Sequence, residues 1–346
     1  MKATATIKEV ARRAGFSVST VSRVLNKTGY VKEETRAAIL KAMEELNFQP
    51  NANARSLVQR RTGLIGLLIP HIDSAFFVGL ARGVEETANE MGYNTILCHT
   101  QGSQEKEETY LKMLVERRVD GIILTPVGQR EDYVSNLIRG GFPVVLVSRK
   151  LNTVTANAVL PDNINGARAV IEHLIQLGHR RIGIINGPSY LNNARERWEG
   201  VQMAFREAGL TPDLKLVKEG NFLFDGGYSL CREFLALPQP PTAIFCANHI
   251  MAGGAMMAIK EAGLTIPEEL SLAAFEGFDD SVLGCLIEPS LTANIFPTQE
   301  MSLKALYMLD RLIKNYREQK QQDCFEEVRV IMKFKKGTST APPCTR

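Results

Sequence analysis

Residues 7–26, Ile7-Lys8-Glu9-Val10-Ala11-Arg12-Arg13-Ala14-Gly15-Phe16-Ser17-Val18-Ser19-Thr20-Val21-Ser22-Arg23-Val24-Leu25-Asn26, decide the architecture of the N-terminal region. Thr6 precedes Glu9 by three positions, a capping box in which each side chain takes the other residue's amide. Val10, Ala11 and Ala14 then share one face, and Gly15 can adopt the left-handed conformation that ends the helix. Ser17 caps a second helix, Val18 to Leu25, whose Val21 and Val24 or Leu25 point inward. Only Gly15-Phe16-Ser17 separates the two helices, which is the spacing of a helix-turn-helix. A third helix, about Glu33 to Leu46, carries Ala38/Ile39, Ala42/Met43 and Leu46 at helical spacing and would cover the first two.

The face left outside on the second helix is Val18, Ser19, Ser22, Arg23 and Asn26, with Ser17 and Thr20 near its start. Short hydroxyls at a helix N-terminus suit phosphate contacts, and a guanidinium can fork onto guanine. Charge points the same way. Residues 1–61 hold twelve Lys/Arg against five Glu, a balance of +7. The whole chain is +3, which leaves −4 on the other 285 residues. A basic head on a mildly acidic body fits a polyanion-binding module joined to a metabolite-binding domain.

Asn47-Phe48-Gln49-Pro50 ends the third helix, and Asn51 can cap a short helix over Ala52–Val58. Across IKEVARRAGFSVSTVSRVLN and VKEETRAAILKAMEELNFQPNANARSLVQRRTGLIGLLIP the chain resembles the lac/gal repressor family of bacterial transcription regulators. The resemblance implies that Val18, Ser19 and Arg23 read bases, while Ser17, Thr20, Ser22, Asn26 and Asn51 hold phosphates. It also implies a hinge helix that folds on operator DNA, with Leu57 wedged into the minor groove beside Ala54 and Arg55. Phe48 replaces a usual tyrosine, and Lys32 stands where a small hydroxyl residue usually caps the third helix.

Beyond Arg61, short apolar runs alternate with amphipathic helices. Leu64–Ile69, Asn94–Cys98, Gly121–Leu124 and Val144–Val147 read as buried parallel strands, followed by Ile182–Ile185, Thr242–Cys246 and Leu270–Phe275. Helices fall near Phe76–Met91, Gln104–Arg117, Glu131–Arg139, Asn163–Leu177, Ala194–Ala208, Gly226–Leu235 and Met251–Ala262. The expected fold class is α/β: an all-α helix-turn-helix head on a two-lobed body of doubly wound parallel sheets with a cleft at the strand ends. This body resembles periplasmic sugar-binding proteins. The expected domains are residues 1–46 as the head, 47–61 as linker and hinge helix, and 62–346 as the effector and dimer domain.

Nothing assembles a catalytic constellation. The chain has no GxxxxGK[ST] loop, no GxGxxG after a strand, no HExxH and no GxSxG elbow, so neither an enzyme nor a bound cofactor is expected. The six cysteines form no CxxC pair and read as buried small hydrophobes in a reducing cytosol. His179, in Leu-Gly-His-Arg-Arg, reads as serving its helix terminus. A transport-type binding protein would need a secretory leader and no basic head, the reverse of this N-terminus, and no stretch is apolar enough to span a membrane. The expected setting is the cytoplasm, and the expected partners are pseudo-palindromic operator DNA, a second copy of the chain and a small-molecule effector.

The resemblance supplies the effector contacts. Arg197, in Ala-Arg-Glu-Arg-Trp, matches an arginine that clamps ligand oxygens. Phe76 and Phe222 match apolar walls, and Asn248 matches a polar contact. Three departures surround them. His249 stands where an Asp is usual, and Ser148 stands where an Asp often precedes the Arg, leaving Ser148 and Arg149 as candidate contacts. In Phe-Glu-Gly-Phe-Asp-Asp, alignment from upstream selects Glu276 as the ligand carboxylate and alignment from downstream selects Asp279. A similar arrangement in gluconate-type repressors points to a sugar acid.

If Arg23 reads a base, Arg23→Ala should cost about 1–3 kcal/mol on the cognate operator and much less on random duplex. Fluorescence anisotropy with both duplexes checks this, and an equal loss on both would reduce Arg23 to a phosphate contact.

Overall fold

The structure, a computed structural model, describes residues 5–26, 28–48, 61–72, 74–128, 130–277, 288–320 and 324–344. They form two compact units that part between Gly63 and Leu64. The hinge segment with Asn51, Ala54, Arg55 and Leu57, the Asn26 side chain, and Asp279 lie outside the described residues.

In the first unit, α1 (Ile7–Ala14), α2 (Val18–Asn26) and α3 (Glu33–Glu45) enclose a small core of Val10, Ala11, Val21, Val24, Ile39 and Ala42. The capping box is formed: Thr6 N–H donates to Glu9 Oε2 at 2.6 Å, and Glu9 N–H donates to Thr6 Oγ1 at 3.4 Å. Gly15 closes α1 at φ +76°. Lys32 makes no side-chain cap on α3, as its lack of a short hydroxyl predicts. Phe48 packs against the same core.

In the second unit, β1 (Leu64–Ile69), β2 (Asn94–His99), β3 (Gly121–Leu124), β4 (Val144–Val147), β5 (Asn157–Pro161) and β11 (Glu327–Val330) form one parallel sheet in the order β11-β5-β4-β3-β1-β2. The second sheet joins β6 (Ile182–Asn186), β7 (Val217–Glu219), β8 (Ala243–Cys246), β9 (Ser271–Glu276), β10 (Thr292–Ile295) and β12 (Lys333–Lys335) in the order β12-β10-β9-β8-β6-β7. Only its β10–β12 pair is antiparallel among the described pairings. Around them run α4 (Ala75–Glu90), α5 (Gln104–Glu116), α6 (Asp132–Arg139), α7 (Asn163–Gln176), α8 (Asn192–Glu207), α9 (Phe224–Leu235), α10 (His249–Glu261) and α11 (Thr298–Arg317). The chain passes from one sheet to the other after β5, β10 and β11, so both lobes are built from discontinuous segments. In each sheet the strand order reverses beside the first strand, the topological switch point where such folds bind ligands.

Several elements escaped the sequence reading. β5, β7, β10, β11 and β12 are short, and two of the five (β7, β12) span only three residues. α11 was not expected, although it buries Met301, Ala305, Leu306, Leu309 and Leu312. His179 serves more than its helix end: its buried ring reaches Thr242 Oγ1 (2.9 Å), Ser271 Oγ (3.2 Å) and the Ala341 carbonyl (2.9 Å), tying the C-terminal segment to two strand starts. Cys98, Cys231 and Cys246 are buried as expected, Cys324 and Cys344 are exposed, and Cys285 lies outside the described residues.

α9 and α10 touch backbone to backbone. A Cβ on Gly254 would run into the Phe224 carbonyl oxygen, and one on Gly227 would run into that of Met251. This contact sets where the α10 N-terminus and the segment before α9 lie, and both contribute to the site described next. Gly254→Ala should therefore destabilise the protein by about 1–3 kcal/mol through overpacking, measured by urea denaturation of the full chain.

Candidate effector cleft and DNA-reading face

On α2, Ser17, Val18, Ser19 and Arg23 are exposed, while Thr20 and Ser22 are half-buried. Ser17 Oγ accepts from the Thr20 amide (3.2 Å) and lies 2.7 Å from Ser19 Oγ and 2.8 Å from Thr20 Oγ1. A cluster of hydroxyls thus surrounds the first amides of α2, where an anion is favoured. Val18 is 41% exposed although apolar, next to this cluster. Such a residue suits contact with a thymine methyl rather than water.

The cleft of the second unit is lined by His71, Ser74, Phe76, Phe77, Ser148, Arg149, Asn193, Arg197, Phe222, Asn248, Ile250 and Glu276, around a narrow cavity of about 40 Å³. Seven of the eight sequence-predicted effector residues meet there, and the eighth, Asp279, lies outside the described residues. Each lining residue lies at or beyond the C-terminal end of a parallel strand or in the first two turns of the next helix, so the topology itself brings them together.

Backbone strain aims two of them. Ser148 has φ +68° and Phe222 has φ +63°, both left-handed without being glycine. At Ser148 the Arg149 amide donates to the Val147 carbonyl at 2.8 Å, a tight γ-turn that swings Arg149 off the end of β4. Phe222 is held by Asn248, whose Nδ2 donates to the Phe222 carbonyl at 2.9 Å while its Oδ1 caps α10 at the Met251 amide (2.8 Å). Strain of about 1–3 kcal/mol per residue persists only where the surroundings over-determine it, often at ligand sites.

Arg197 is 3% exposed. Its guanidinium lies over the Phe275 ring, 3.6 Å from the centroid, donates from Nε to Asn163 Oδ1 (3.0 Å), and donates from Nη1 to the Ala247 carbonyl. Asn163 is held in turn by Glu196, to which Arg329 also pairs at 2.9 Å. Burial pushes both Arg149 and Arg197 down to about 10 from 12.5, against the pull of Glu276. Glu276 accepts from His249 Nδ1 at 2.8 Å. Burial would raise its carboxyl, but the His249 hydrogen bond and charge with Arg197 and Arg149 nearby hold it below the usual carboxylate range. Two departures noted in the sequence, His249 and Glu276, are therefore one buried pair. His71, Ser74, Phe77, Asn193 and Ile250 were missed. They lie between recognisable motifs, and only strand-end topology could have suggested them.

A helix-turn-helix unit joined to a two-lobed body with a polar cleft defines a DNA-binding regulator under small-molecule control. The family described as bacterial regulatory proteins, lacI family, matches residues 6–51, and that of periplasmic binding proteins and sugar binding domain of LacI family matches residues 62–338. The HTH-type transcriptional repressor PurR of Photobacterium profundum is 34% identical over 312 residues, 90% of this chain and 92% of that protein. A ribose operon repressor of Halalkalibacterium halodurans is 37% identical over 313 residues, 89% of this chain and 90% of its own length. The lac repressor dimer bound to operator and the anti-inducer ONPF superposes with a TM-score of 0.82 at 26% identity, covering 98% of this chain and 100% of that one. The chain belongs to the LacI family: it is a transcriptional repressor controlled by a small metabolite, not an enzyme.

Beneath the cleft, Glu107 accepts from the Val127 amide at 2.9 Å, and burial pushes its carboxyl up to about 7, with nearby Glu131 adding and the Val127 bond and Arg149 opposing. The folded state thus keeps a proton that the unfolded state loses near 4.5, so stability is full below that pH and falls as pH rises toward 7. Glu107→Gln should match wild type near pH 4.5 and exceed it above pH 7 by on the order of 3 kcal/mol. Urea denaturation across pH measures the difference.

Proposed function

We propose that the chain is a cytoplasmic, dimeric repressor in which residues 1–46 read a pseudo-palindromic operator, 47–61 form the linker and hinge, and 62–346 bind effector and partner copy. Ser17, Thr20, Ser22, Asn26 and Asn51 hold phosphates in this reading, and Val18, Ser19 and Arg23 contact bases. Leu57 enters the minor groove with Ala54 and Arg55 beside it. The lac repressor dimer on operator supports the dimer, as does the half-site logic of helix-turn-helix proteins.

Phe76, Ser148, Arg149, Arg197, Phe222, Asn248 and Glu276 bind the effector. The observation that carries this is their meeting in one cleft around Arg197, whose donors are aimed by Asn163 and the Ala247 carbonyl. A ligand there touches both sheets, so it has different contacts in open and closed arrangements. That difference is what lets it shift the lobes and, through them, the spacing of the two hinge segments in the dimer.

A thermal-shift screen of the full chain against sugars, sugar acids, sugar phosphates and nucleosides identifies the effector. Arg197→Lys keeps the charge but loses the planar fork, so effector affinity should fall about tenfold or more by calorimetry. Operator affinity without ligand should change far less, because the DNA-reading face lies in the other unit. Wild-type effector affinity in Arg197→Lys would remove Arg197 from the site.

A further inference from the structure

Two arginines, Arg197 buried and Arg149 half-buried, line the cleft against a single carboxylate, Glu276, among the described residues. Among the described residues, no carboxylate lies within ion-pair distance of Arg149 or Arg197. The one acidic residue in the lining, Glu276, is paired with His249 instead. Arg149 Nε is sealed from solvent with no hydrogen-bond partner, and its Nη1 reaches only the Pro126 carbonyl at 3.3 Å. Arg197 is satisfied at Nε and Nη1 alone, leaving Nη2 to serve a ligand. The two guanidinium carbons lie 5.6 Å and 5.7 Å from the centroid of the same ring, Phe222. Two cations at one aromatic ring, Arg197 buried and Arg149 half-buried, with no carboxylate at ion-pair distance among the described residues, make a place that the anionic group of a ligand would stabilise.

We propose that the effector is an anion, a small hydroxylated carboxylate or phosphate whose charged group sits at Arg149 and Arg197. This deepens the effector reading above and rests on it. Paired guanidinium forks match the oxygens of either group. Ser74, Ser148, Asn193 and Asn248 offer neutral polar partners for hydroxyls, and Phe76 and Phe222 wall the carbon frame. Both anions share this recognition, and the experiment separates them.

The full chain is melted with part of its potassium chloride replaced, at equal ionic strength, by potassium gluconate or potassium phosphate, and separately with added glucose. Wild type should gain a few degrees in Tm over chloride with at least one anion, and none with glucose. Arg149→Met should lose that gain while keeping the general salting effect of the anion, which does not depend on the site. Arg149→Lys, which keeps the charge without the fork, should fall between and serves if the methionine variant folds poorly. A gain with gluconate alone assigns a carboxylate, and a gain with phosphate alone assigns a phosphate. Equal shifts in wild type and the Arg149 variants, or no shift beyond chloride with either anion, overturn the proposal. A neutral sugar that binds wild type and is weakened by Arg197→Lys, without any anion effect, also overturns it but leaves the effector cleft standing. A ligand indifferent to both substitutions removes the cleft reading as well.

Discussion

The guanidinium of Arg197 is almost entirely withdrawn from water, and much of the surrounding structure answers to that constraint. A buried cation must be hydrogen-bonded in full or stacked on something polarisable. Here the Phe275 ring takes one face, and Asn163 and the Ala247 carbonyl take two donors. Those partners come from α7, the end of β8 and β9, so one side chain on α8 registers three elements of the second sheet. The Glu196 carboxylate that orients Asn163 is itself bridged by Arg329 from the first sheet. The clamp is therefore tied to the relation between the lobes, and a ligand that draws on Arg197 acts on that relation.

Close helix approach supplies the rigidity this needs. Glycines at 227 and 254 bring α9 and α10 into backbone contact, which places Asn248 at the head of α10 within reach of the Phe222 carbonyl. Asn248 then does two things at once, capping a helix and locking a left-handed Phe222. On the facing sheet the γ-turn at Ser148 does the corresponding work for Arg149. An Asp at position 148 would add a negative charge beside that arginine, and Ser148 does not. The same logic applies at His249, where an imidazole meets the Glu276 carboxylate instead of a second carboxylate repelling it. The departures from the common family pattern thus change the charge of one cleft in a consistent direction.

The sequence by itself determined the head: capping box, glycine stop, three-residue turn and core positions are all local signals, and each is realised within a few residues of where it is written. It also determined β1 to β4, β6, β8 and β9 and most of the helices between them, because apolar runs and helical period are written locally, although β2 at the sheet edge is less buried than its apolar run suggests. It left β5, β7, β10, β11 and β12 unread: β7 and β12 span only three residues, and β11 pairs with β5 from the far end of the chain. α11 was hidden because its burial depends on α4, more than two hundred residues away, as the hydrogen bond from Ser302 to the Leu80 carbonyl shows. The charge state of the cleft was hidden for the same reason. Position 276 could be nominated from motif alignment, but its pairing with His249, and the lack of an ion-paired carboxylate for Arg149 and Arg197 among the described residues, exist only once two sheets bring their strand ends together. Local periodicity is written in consecutive residues, whereas electrostatic balance is a property of groups that the chain folds into one space.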